Sequence, residues 1–289
     1  MKLLGVGDNV VDRYPNLGLL YPGGNAVNAA VFATRLGASA AYMGQIGDDS
    51  AGDHLLRSLI TEKVDVSATW RVHGPNAYAD IELHEGDRVF LGSNRTGAMY
   101  EPDREQLQIA RHYDVVHAGY AGPLLHHVPE LALLTRVSFD FGSRYDFETT
   151  LEYTPCLFLA TYSAGHLSDG EARQLATAAT EAGAQFALAT RGEHGAYLAT
   201  STGLIFQAAD RIAVVDTLGA GDAYIATVLV GLLSGRDPRR VLASAAGHAA
   251  QVCLDHGAFG HPAPFDPSSS PAEYTHLPTP AEKTPESSA

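Results

Sequence analysis

The sequence predicts an α/β fold in which helices cover both faces of a parallel sheet. Three observations lead to this prediction. Short apolar runs alternate with helical segments along most of the 289 residues, which is the order expected of parallel strands joined by crossover helices. Polar and glycine-rich clusters follow several of these runs directly, as they do at the carboxyl ends of strands in open α/β sheets. Between residues 68 and 92 the apolar residues alternate with polar ones, which predicts a separate small sheet.

The individual elements follow from local apolar patterns and from the glycines that bound them. Strand-length apolar runs lie at 3–7, 40–46, 115–118, 137–140, 157–160, 186–190 and 196–199, with a shorter strand-like run at 212–215. Helices are predicted at 25–36, 51–63, 169–182, 220–234 and 238–255. Gly23-Gly24 opens the first of these helices and Gly37 suits its C-cap.

Two changes of pattern mark a hairpin inside the ordered domain and the end of that domain. The alternating segments 78–83 and 88–91 flank His84-Glu85-Gly86-Asp87, which is typical of a β-hairpin. The stretch from 262 to 289 is rich in Pro, Ser, Thr, Glu and Ala. It is too polar and proline-rich to fold alone, so we predict an ordered domain over 1–261 and a disordered tail over 262–289.

Charge and composition argue against several classes of partner. The net charge is −14 and no lysine- or arginine-rich run is present, which argues against nucleic-acid binding. No apolar stretch is long enough for a membrane span, and no signal peptide is visible, so we expect a cytoplasmic protein. The two cysteines lie far apart in apolar surroundings and suit core positions. The adjacent His126-His127 are predicted as surface or helix-start residues and not as a zinc site, because neighbouring side chains on a helix face different directions.

The segment from Asp216 to Asp222 predicts an anion site at the start of a helix. Gly219 and Gly221 lack a Cβ, so their N–H groups can approach a phosphate closely. A carboxylate at Asp222 makes chemical sense there if it accepts a proton from an attacking hydroxyl while the N–H groups steady a transferring phosphoryl group. The pattern favours a kinase that acts on an alcohol. An ordinary strand-to-helix turn, with Asp222 as the N-terminal cap, remains open.

Two further polar clusters suit the ligands of such a kinase. Carboxylates and amides that can hold sugar hydroxyls lie at predicted strand ends and at the start of the first helix: Asp8, Asp12, Gly23, Gly24, Asn25, Asn28 and Asp140. The turn Thr190-Arg191-Gly192-Glu193-His194-Gly195 can seat the phosphates or base of a nucleotide. Both clusters also have a routine explanation as turns. The P-loop pattern is absent, and no G-x-G-x-x-G follows the first strand, which argues against a dinucleotide dehydrogenase.

Taken together, these motifs resemble the ribokinase-like (PfkB) family of sugar and nucleoside kinases. The resemblance runs from residue 2 to 261 and rests on 7–12, Gly23-Gly24 with Asn28, 47–49, 190–195 and 216–222. It implies a Rossmann-like, three-layer ribokinase-type core with a small β-sheet lid, formed by about 68–92 and part of 13–22. It also implies a homodimer formed through that lid.

The resemblance assigns roles to these residues. Asp222 would be the catalytic base, with Gly219, Ala220 and Gly221 as the anion hole. Sugar would be held by Asp12, Gly24 and Asn28, and ATP would lie beside Thr190, Gly192 and Gly195. Asp216 would lie near a site for a monovalent cation such as K⁺, and Mg²⁺ would enter the site bound to the nucleotide phosphates.

Within the family, the chain is similar to the branch that phosphorylates the 6-hydroxyl of fructoselysine and related fructosamines. A fructokinase, another sugar or nucleoside kinase, and a non-catalytic sugar- or nucleotide-binding protein remain as alternatives. One departure from the family concerns the metal. Many members carry Asn-x-x-Glu where this chain has Ala160-Thr161-Tyr162-Ser163, which contains no carboxylate. The protein contacts of Mg²⁺ are therefore unassigned from sequence.

Overall fold

The chain folds into strands and helices that alternate along most of its length. The computed structural model describes residues 1–84, 87–94, 100–120, 123–143 and 145–266. The strands in this part of the chain are β1 (Lys2–Val6), β2 (Val10–Tyr14), β3 (Leu19–Gly23), β4 (Ser39–Gly47), β5 (Thr69–Val72), β6 (Tyr78–His84), β7 (Asp87–Asn94), β8 (Val115–Gly119), β9 (Arg136–Asp140), β10 (Leu159–Ser163), β11 (Phe186–Thr190), β12 (Ala196–Thr200), β13 (Gly203–Gln207) and β14 (Ala263–Pro264). The helices are α1 (Asn25–Arg35), α2 (Ser50–Thr61), α3 (Arg104–Leu107), α4 (Val128–Ala132), α5 (Phe147–Leu151), α6 (Asp169–Glu181), α7 (Ala220–Leu233) and α8 (Pro238–Val252).

A nine-stranded sheet forms the centre of the described structure. Its strand order is β13-β12-β11-β10-β9-β8-β1-β4-β5. The strands from β11 to β5 are parallel, and β12 and β13 add an antiparallel edge. Because parallel strands end at the same edge of a sheet, the segments that follow β1, β8, β9, β10 and β11 lie side by side there.

Both faces of this sheet are covered by helices, as the sequence predicts. Along β1, Leu3 packs with α1, α7 and α8 on one face, and Leu4 and Val6 pack with α4 and α6 on the other. Alternate residues of a strand point to opposite faces, so a strand made only of apolar residues is buried on both sides. The result is the three-layer α/β architecture.

A second, five-stranded sheet lies beside the core, in the order β14-β3-β2-β6-β7. The predicted hairpin is confirmed as β6 and β7, which pair antiparallel. Its turn residues Glu85 and Gly86 lie outside the described residues. Arg13 and Asp80 form a bidentate ion pair on this sheet, with two N–O distances of 2.6 Å. The Arg13 guanidinium lies over the rings of Tyr78 and Phe265, at 3.3 and 4.7 Å from the ring centroids.

The small sheet differs from the predicted lid insertion over 68–92 and part of 13–22. Thr69–Val72, at the start of the predicted insertion, is strand β5 and pairs in parallel with β4 in the large sheet. The crossover through α2 explains this, because a strand–helix–strand unit returns the chain parallel to its first strand. At the other end, residues 263–264 of the predicted tail pair with β3. Residues 267–289 lie outside the described structure.

Two strand predictions in the large sheet are also corrected. Residues 212–215 form no strand, and the side chains of Val214 and Val215 remain 45% and 39% exposed. The sheet edge near them is already occupied by β13, which the sequence analysis did not predict, and Val215 N–H instead donates to the carbonyl of Cys253. The strand predicted at 157–160 begins at Leu159. No described helix has both the length and the apolar character that a membrane crossing requires.

The ion pair of Arg13 and Asp80 gives a test of the small sheet. Asp80 is fully buried and the Arg13 side chain is 10% exposed, so Arg13→Met leaves a carboxylate buried without its partner. We expect the free energy of unfolding to fall by about 3–5 kcal/mol, measured by urea denaturation. Arg173→Met, which removes an exposed pair with Asp169, is the control and should cost about 0.2–1 kcal/mol. Equal losses in the two variants would contradict this view of the small sheet.

Candidate active site

The predicted anion site is built on a glycine turn. Gly219 is the N-cap of α7 and has a φ of +77°, and a Cβ there would lie 2.5 Å from Ala258 Cβ. Only glycine fits both the left-handed backbone and the close approach. Gly221, in the first turn, faces open space. Asp222 lies one residue further into α7, so it is not the N-cap that the alternative interpretation of this turn required.

The helices α1 and α7 begin differently from their neighbours. The caps of α2, α5, α6 and α8 are Asp or Ser side chains that accept a first-turn N–H. By contrast, α1 and α7 begin at Gly24 and Gly219, and neither cap makes a side-chain hydrogen bond. Two of the first-turn N–H groups of these helices have other partners, since Asn25 N–H donates to Asp8 Oδ2 at 3.2 Å and Ala220 N–H donates to the carbonyl of Thr217 at 3.3 Å. The N–H groups that remain can donate to an anion, and the helix dipole adds to the attraction.

Asp222 is held between two amides of α1. Asn25 Nδ2 donates to Asp222 Oδ1 at 2.9 Å, and Asn28 Nδ2 donates to Asp222 Oδ2 at 2.6 Å. Asn25 and Asn28 are predicted to share one helix face, and in the structure both amides donate to the same carboxylate. Each oxygen of Asp222 thus has one fixed donor, which sets the orientation of the carboxylate.

The same amide of Asn25 also holds a second carboxylate. Asn25 Nδ2 donates to Asp140 Oδ2 at 3.0 Å, so one nitrogen bridges Asp140 and Asp222. The other oxygen of Asp140 accepts from Thr161 Oγ1 and from Gly142 N–H, both at 3.0 Å. The backbone N–H of Asn25 donates to Asp8 Oδ2 at 3.2 Å. Asp8, Asp140 and Asp222 therefore surround one asparagine.

Strand topology explains how these residues meet. Asp140 ends β9, Asp8 follows β1, and β8 lies between those two strands. Gly119 ends β8, and a Cβ there would lie 2.5 Å from Asn25 Oδ1. The missing side chain of Gly119 is what lets Asn25 rest over the sheet edge. Neither Gly119 nor Thr161 was identified from sequence, because their role depends on which strands are neighbours.

Burial and mutual repulsion raise the pKa values of two of these carboxyls. The pKa of Asp222 is raised to about 7, mainly by burial and also by the nearby Asp140 and Asp8, against the lowering effect of the amides of Asn28 and Asn25. Burial raises the pKa of Asp140 to about 6, against the lowering effect of its bonds from Gly142 and Thr161. A carboxylate that changes its protonation state near neutral pH is well matched to general-base catalysis.

The remaining candidates for sugar binding lie on the neighbouring segments. Asp12, on β2, is 4% exposed, and a Cβ on Gly23 would lie 2.5 Å from Asp12 Oδ2. Gly24 has a φ of +110°, and a Cβ there would lie 2.7 Å from Asn9 Cα. The side chain of Asn9, which the sequence analysis did not single out, donates to Tyr42 Oη at 2.9 Å and to the carbonyl of Gln45. The glycines thus make room for the polar side chains around them.

Asp216 is anchored by three donors. It is fully buried and accepts from Tyr14 Oη at 2.6 Å, from Leu218 N–H at 2.9 Å and from Gly257 N–H at 3.1 Å. Because Tyr14 belongs to β2, the carboxylate ties the small sheet to the glycine turn before α7. Its role near a monovalent cation stays a prediction.

The predicted nucleotide turn follows β11, two strands from Asp140. Neighbouring strands are about 4.8 Å apart, so this turn begins roughly 10 Å from Asp140 along the sheet edge. Thr190 ends β11, and its carbonyl accepts from Ala164 N–H at 2.7 Å. Gly192 faces open space with a φ of +56°, whereas a Cβ on Gly195 would lie 2.2 Å from the carbonyl of Gln207. Gly192 therefore has room for a ligand, while Gly195 lies against the backbone at the end of β13.

Comparison with known proteins establishes the family. The family model described as pfkB family carbohydrate kinase matches residues 10–135 and 146–264. The chain belongs to this family. It is a phosphotransferase that acts on a sugar hydroxyl. The match includes every strand of the small sheet and ends at β14. It leaves out residues 1–9, which carry β1 and Asp8, and residues 136–145, which carry β9 and Asp140.

Relatives and solved structures agree with this assignment. The chain is 37% identical to Fructosamine kinase FrlD of Bacillus subtilis, across 92% of this chain and 95% of that protein. It is 35% identical to Fructoselysine 6-kinase of Escherichia coli, across 90% of this chain and 100% of that protein. An Arabidopsis thaliana ribokinase complexed with ribose and ATP has the same fold, with a TM-score of 0.73, 20% identity, and coverage of 93% of this chain and 96% of that one.

The amides on Asp222 give a test of the site's electrostatics. A hydrogen bond to a charged group contributes about 1.5–3 kcal/mol, and about 1.4 kcal/mol corresponds to one pKa unit. Asn25→Ala should therefore raise the pKa of Asp222 by about one pKa unit or more. Carboxyl ¹³C NMR titration of the protein measures this directly. Asn16→Ala removes an exposed amide that does not bond Asp222 and should leave the pKa unchanged. A lower pKa in Asn25→Ala would show that the amide does not stabilise the ionised form.

Proposed function

We propose that this protein is an ATP-dependent kinase that phosphorylates the 6-hydroxyl of fructoselysine or a related fructosamine. The observation that carries the proposal is similarity at 37% and 35% identity to two fructosamine kinases over at least 90% of this chain. The arrangement around Asp222 supports the same chemistry. Fructokinases are more distant relatives, for example at 28% identity in Salmonella typhimurium.

Asp222 is proposed as the general base. It accepts the proton of the 6-hydroxyl while that oxygen bonds to the γ-phosphorus of ATP, and the bond from the γ-phosphorus to the bridging oxygen of ADP breaks. The N–H groups of Gly219, Ala220 and Gly221 would stabilise the charge on the transferring phosphoryl group, since α7 begins without a side-chain cap. Asn25 and Asn28 hold Asp222 in place and keep a fraction of it ionised at neutral pH.

The carboxylates beside Asp222 support an ammonium-bearing substrate. A fructosamine carries its amine on C1 of the sugar, at the other end from the 6-hydroxyl, and the site is rich in carboxylates: Asp8 and Asp140 contact Asn25, and Asp12 lies beside Gly23. A cation close to carboxylates that repel one another stabilises their ionised forms. We propose that Asp8, Asp12, Gly23, Gly24 and Asn28 hold the sugar, and that Asn25 acts through Asp140 and Asp222.

ATP and Mg²⁺ are proposed cofactors, as in a solved Escherichia coli structure named a putative Ribokinase II in complex with ATP and Mg²⁺, which has a TM-score of 0.75 and 19% identity. Thr190, Gly192 and Gly195 are proposed to lie beside the nucleotide. Mg²⁺ supplies charge neutralisation on the phosphates and needs one or two protein carboxylates. Asp140 suits this need, because it lies beside the segment where many family members carry the Asn-x-x-Glu motif. Thr161, which belongs to that segment, donates a hydrogen bond to Asp140.

Two further parts of the proposal concern the cation and the assembly. K⁺ is proposed near Asp216. A homodimer through the small sheet is supported by the position of β7 at the edge of that sheet within the described residues, since an edge strand has backbone groups that can pair with another chain.

Replacing the base tests the mechanism. Asp222→Asn keeps the shape of the side chain but cannot accept the proton, so kcat should fall about 10²–10⁴-fold with little change in sugar affinity. Turnover is measured by ADP release and affinity by calorimetry. Asp237→Asn is a matched control, because Asp237 caps α8 and asparagine caps equally well. Retention of more than about a tenth of kcat in Asp222→Asn would remove Asp222 as the base.

The substrate class is tested with a panel of acceptors. Fructoselysine should exceed fructose, ribose and a nucleoside in kcat/KM, because the last three lack the ammonium that the carboxylates favour. ADP release with Mg-ATP gives the ratios. A higher kcat/KM for fructose than for fructoselysine would keep the kinase but overturn the fructosamine assignment.

A further inference from the structure

A second group of chemically active side chains lies apart from the bonds around Asp222. Glu101, His126 and His127 each offer one ligand atom, and these three atoms lie within 4.8 Å of one another. In the structure the two histidines end a 3₁₀ turn, Leu125–His127, directly before α4, which confirms the predicted helix-start position. Their ring centroids are 4.1 Å apart, so the prediction that they face different directions is wrong, because the 3₁₀ turn does not follow α-helical geometry.

The distances in this cluster match those around a small metal ion. His126 Nε2 lies 3.1 Å from Glu101 Oε1, and His127 Nε2 lies 3.7 Å from the same oxygen. Two ligands of a tetrahedral Zn²⁺, each about 2.0–2.1 Å from the ion, are roughly 3.3 Å apart. The two separations from Glu101 bracket that value, and the two histidine ligand atoms lie within 4.8 Å of each other, so one ion can reach all three atoms after side-chain adjustment.

An unsatisfied nitrogen points to the same conclusion. His127 Nε2 is buried and has no hydrogen-bond partner among the described residues. Buried polar atoms nearly always have a partner, and each exception asks for an explanation such as a bound ion. The distance of 3.7 Å from Glu101 is too long for a hydrogen bond, but it suits two ligands of a common ion.

The backbone on both sides of the cluster is fixed. Glu101 follows Tyr100, which is 1% exposed and stacks on Trp70 at 5.7 Å between ring centroids. The histidines lie between Leu124 and Val128, which are 1% and 0% exposed. A site whose ligands extend from anchored backbone loses little conformational entropy when it binds an ion.

We propose that Glu101, His126 and His127 form a binding site for a first-row transition-metal ion, with Zn²⁺ as the best match and water as the fourth ligand. Two imidazoles and one carboxylate suit Zn²⁺, Ni²⁺ and Co²⁺, whereas Mg²⁺ prefers oxygen ligands alone. The site is therefore distinct in chemistry from the Mg-ATP site. A bound ion would join the segment after β7 to the turn after β8, and so would stabilise the fold.

The experiment uses untagged, full-length protein stripped with a chelator and free of nucleotide. Calorimetric titration with Zn²⁺ should give one ion per chain, and Co²⁺ should give the visible absorption of a four- or five-coordinate ion. Zn²⁺ should also raise Tm. Glu101→Gln, His126→Ala and His127→Ala should each weaken Zn²⁺ binding at least tenfold, and His112→Ala, an exposed histidine outside the cluster, should not.

Three outcomes would overturn the proposal. The first is that the protein does not bind Zn²⁺ at millimolar concentration, and the second is that all three cluster variants bind Zn²⁺ as tightly as the wild type. The third is that only Asp222→Asn loses Zn²⁺ binding, which would place the ion at the carboxylates of the active site. Circular dichroism of each metal-free variant checks folding. Should His127→Ala fail to fold, the more exposed Glu101 and His126 carry the test by themselves.

Discussion

The side-chain amide of Asn25 joins Asp140 and Asp222, the two carboxylates on which the proposed chemistry depends. Its nitrogen lies within 3.0 Å of one oxygen of Asp140 and one of Asp222. These two side chains come from β9 and α7, and Asn25 comes from α1, so the bridge also fixes how three elements meet. Two carboxylates this close repel each other, and the amide donors offset part of that repulsion. Burial is the main cause of the raised pKa values of Asp140 and Asp222, and repulsion from neighbouring carboxylates adds to it.

This constraint explains features that look unrelated along the chain. Gly119 has no side chain, which leaves space for Asn25 above the sheet edge. Gly24 and Gly219 begin α1 and α7 without capping side chains, so the positive ends of two helix dipoles face the acidic group. Asp216 anchors the turn before α7 to Tyr14 of the small sheet. A buried hydrogen bond thereby connects the small sheet to the glycine turn before α7.

Much of the fold could be predicted from sequence because strand and helix periods are local. The helix predicted at 25–36 and the strand at 186–190 agree with the structure within one residue. Asp222 was found because glycines around a carboxylate are an unusual local pattern. The errors concern information that is not local. Residues 69–72 have the composition of a strand, but only the crossover through α2 decides which sheet they join.

The same reason limits what sequence revealed of the site. Asn25 was expected to contact sugar, yet its amide nitrogen is occupied by two carboxylates that lie 115 and 197 residues away in the chain. Thr161 meets Asp140 only because β9 and β10 are neighbours in register. The contact of His126 and His127 with Glu101 depends on a 3₁₀ turn that the pattern of apolar residues does not indicate.

The most direct test of the central claim is a crystal structure of the protein with a fructosamine and a non-hydrolysable ATP analogue. We expect the 6-hydroxyl oxygen within about 3 Å of an Asp222 oxygen, the γ-phosphate at the N–H groups of Gly219 to Asp222, and the Asn25 bridge intact. A sugar bound with its 6-hydroxyl directed away from Asp222 would contradict the account.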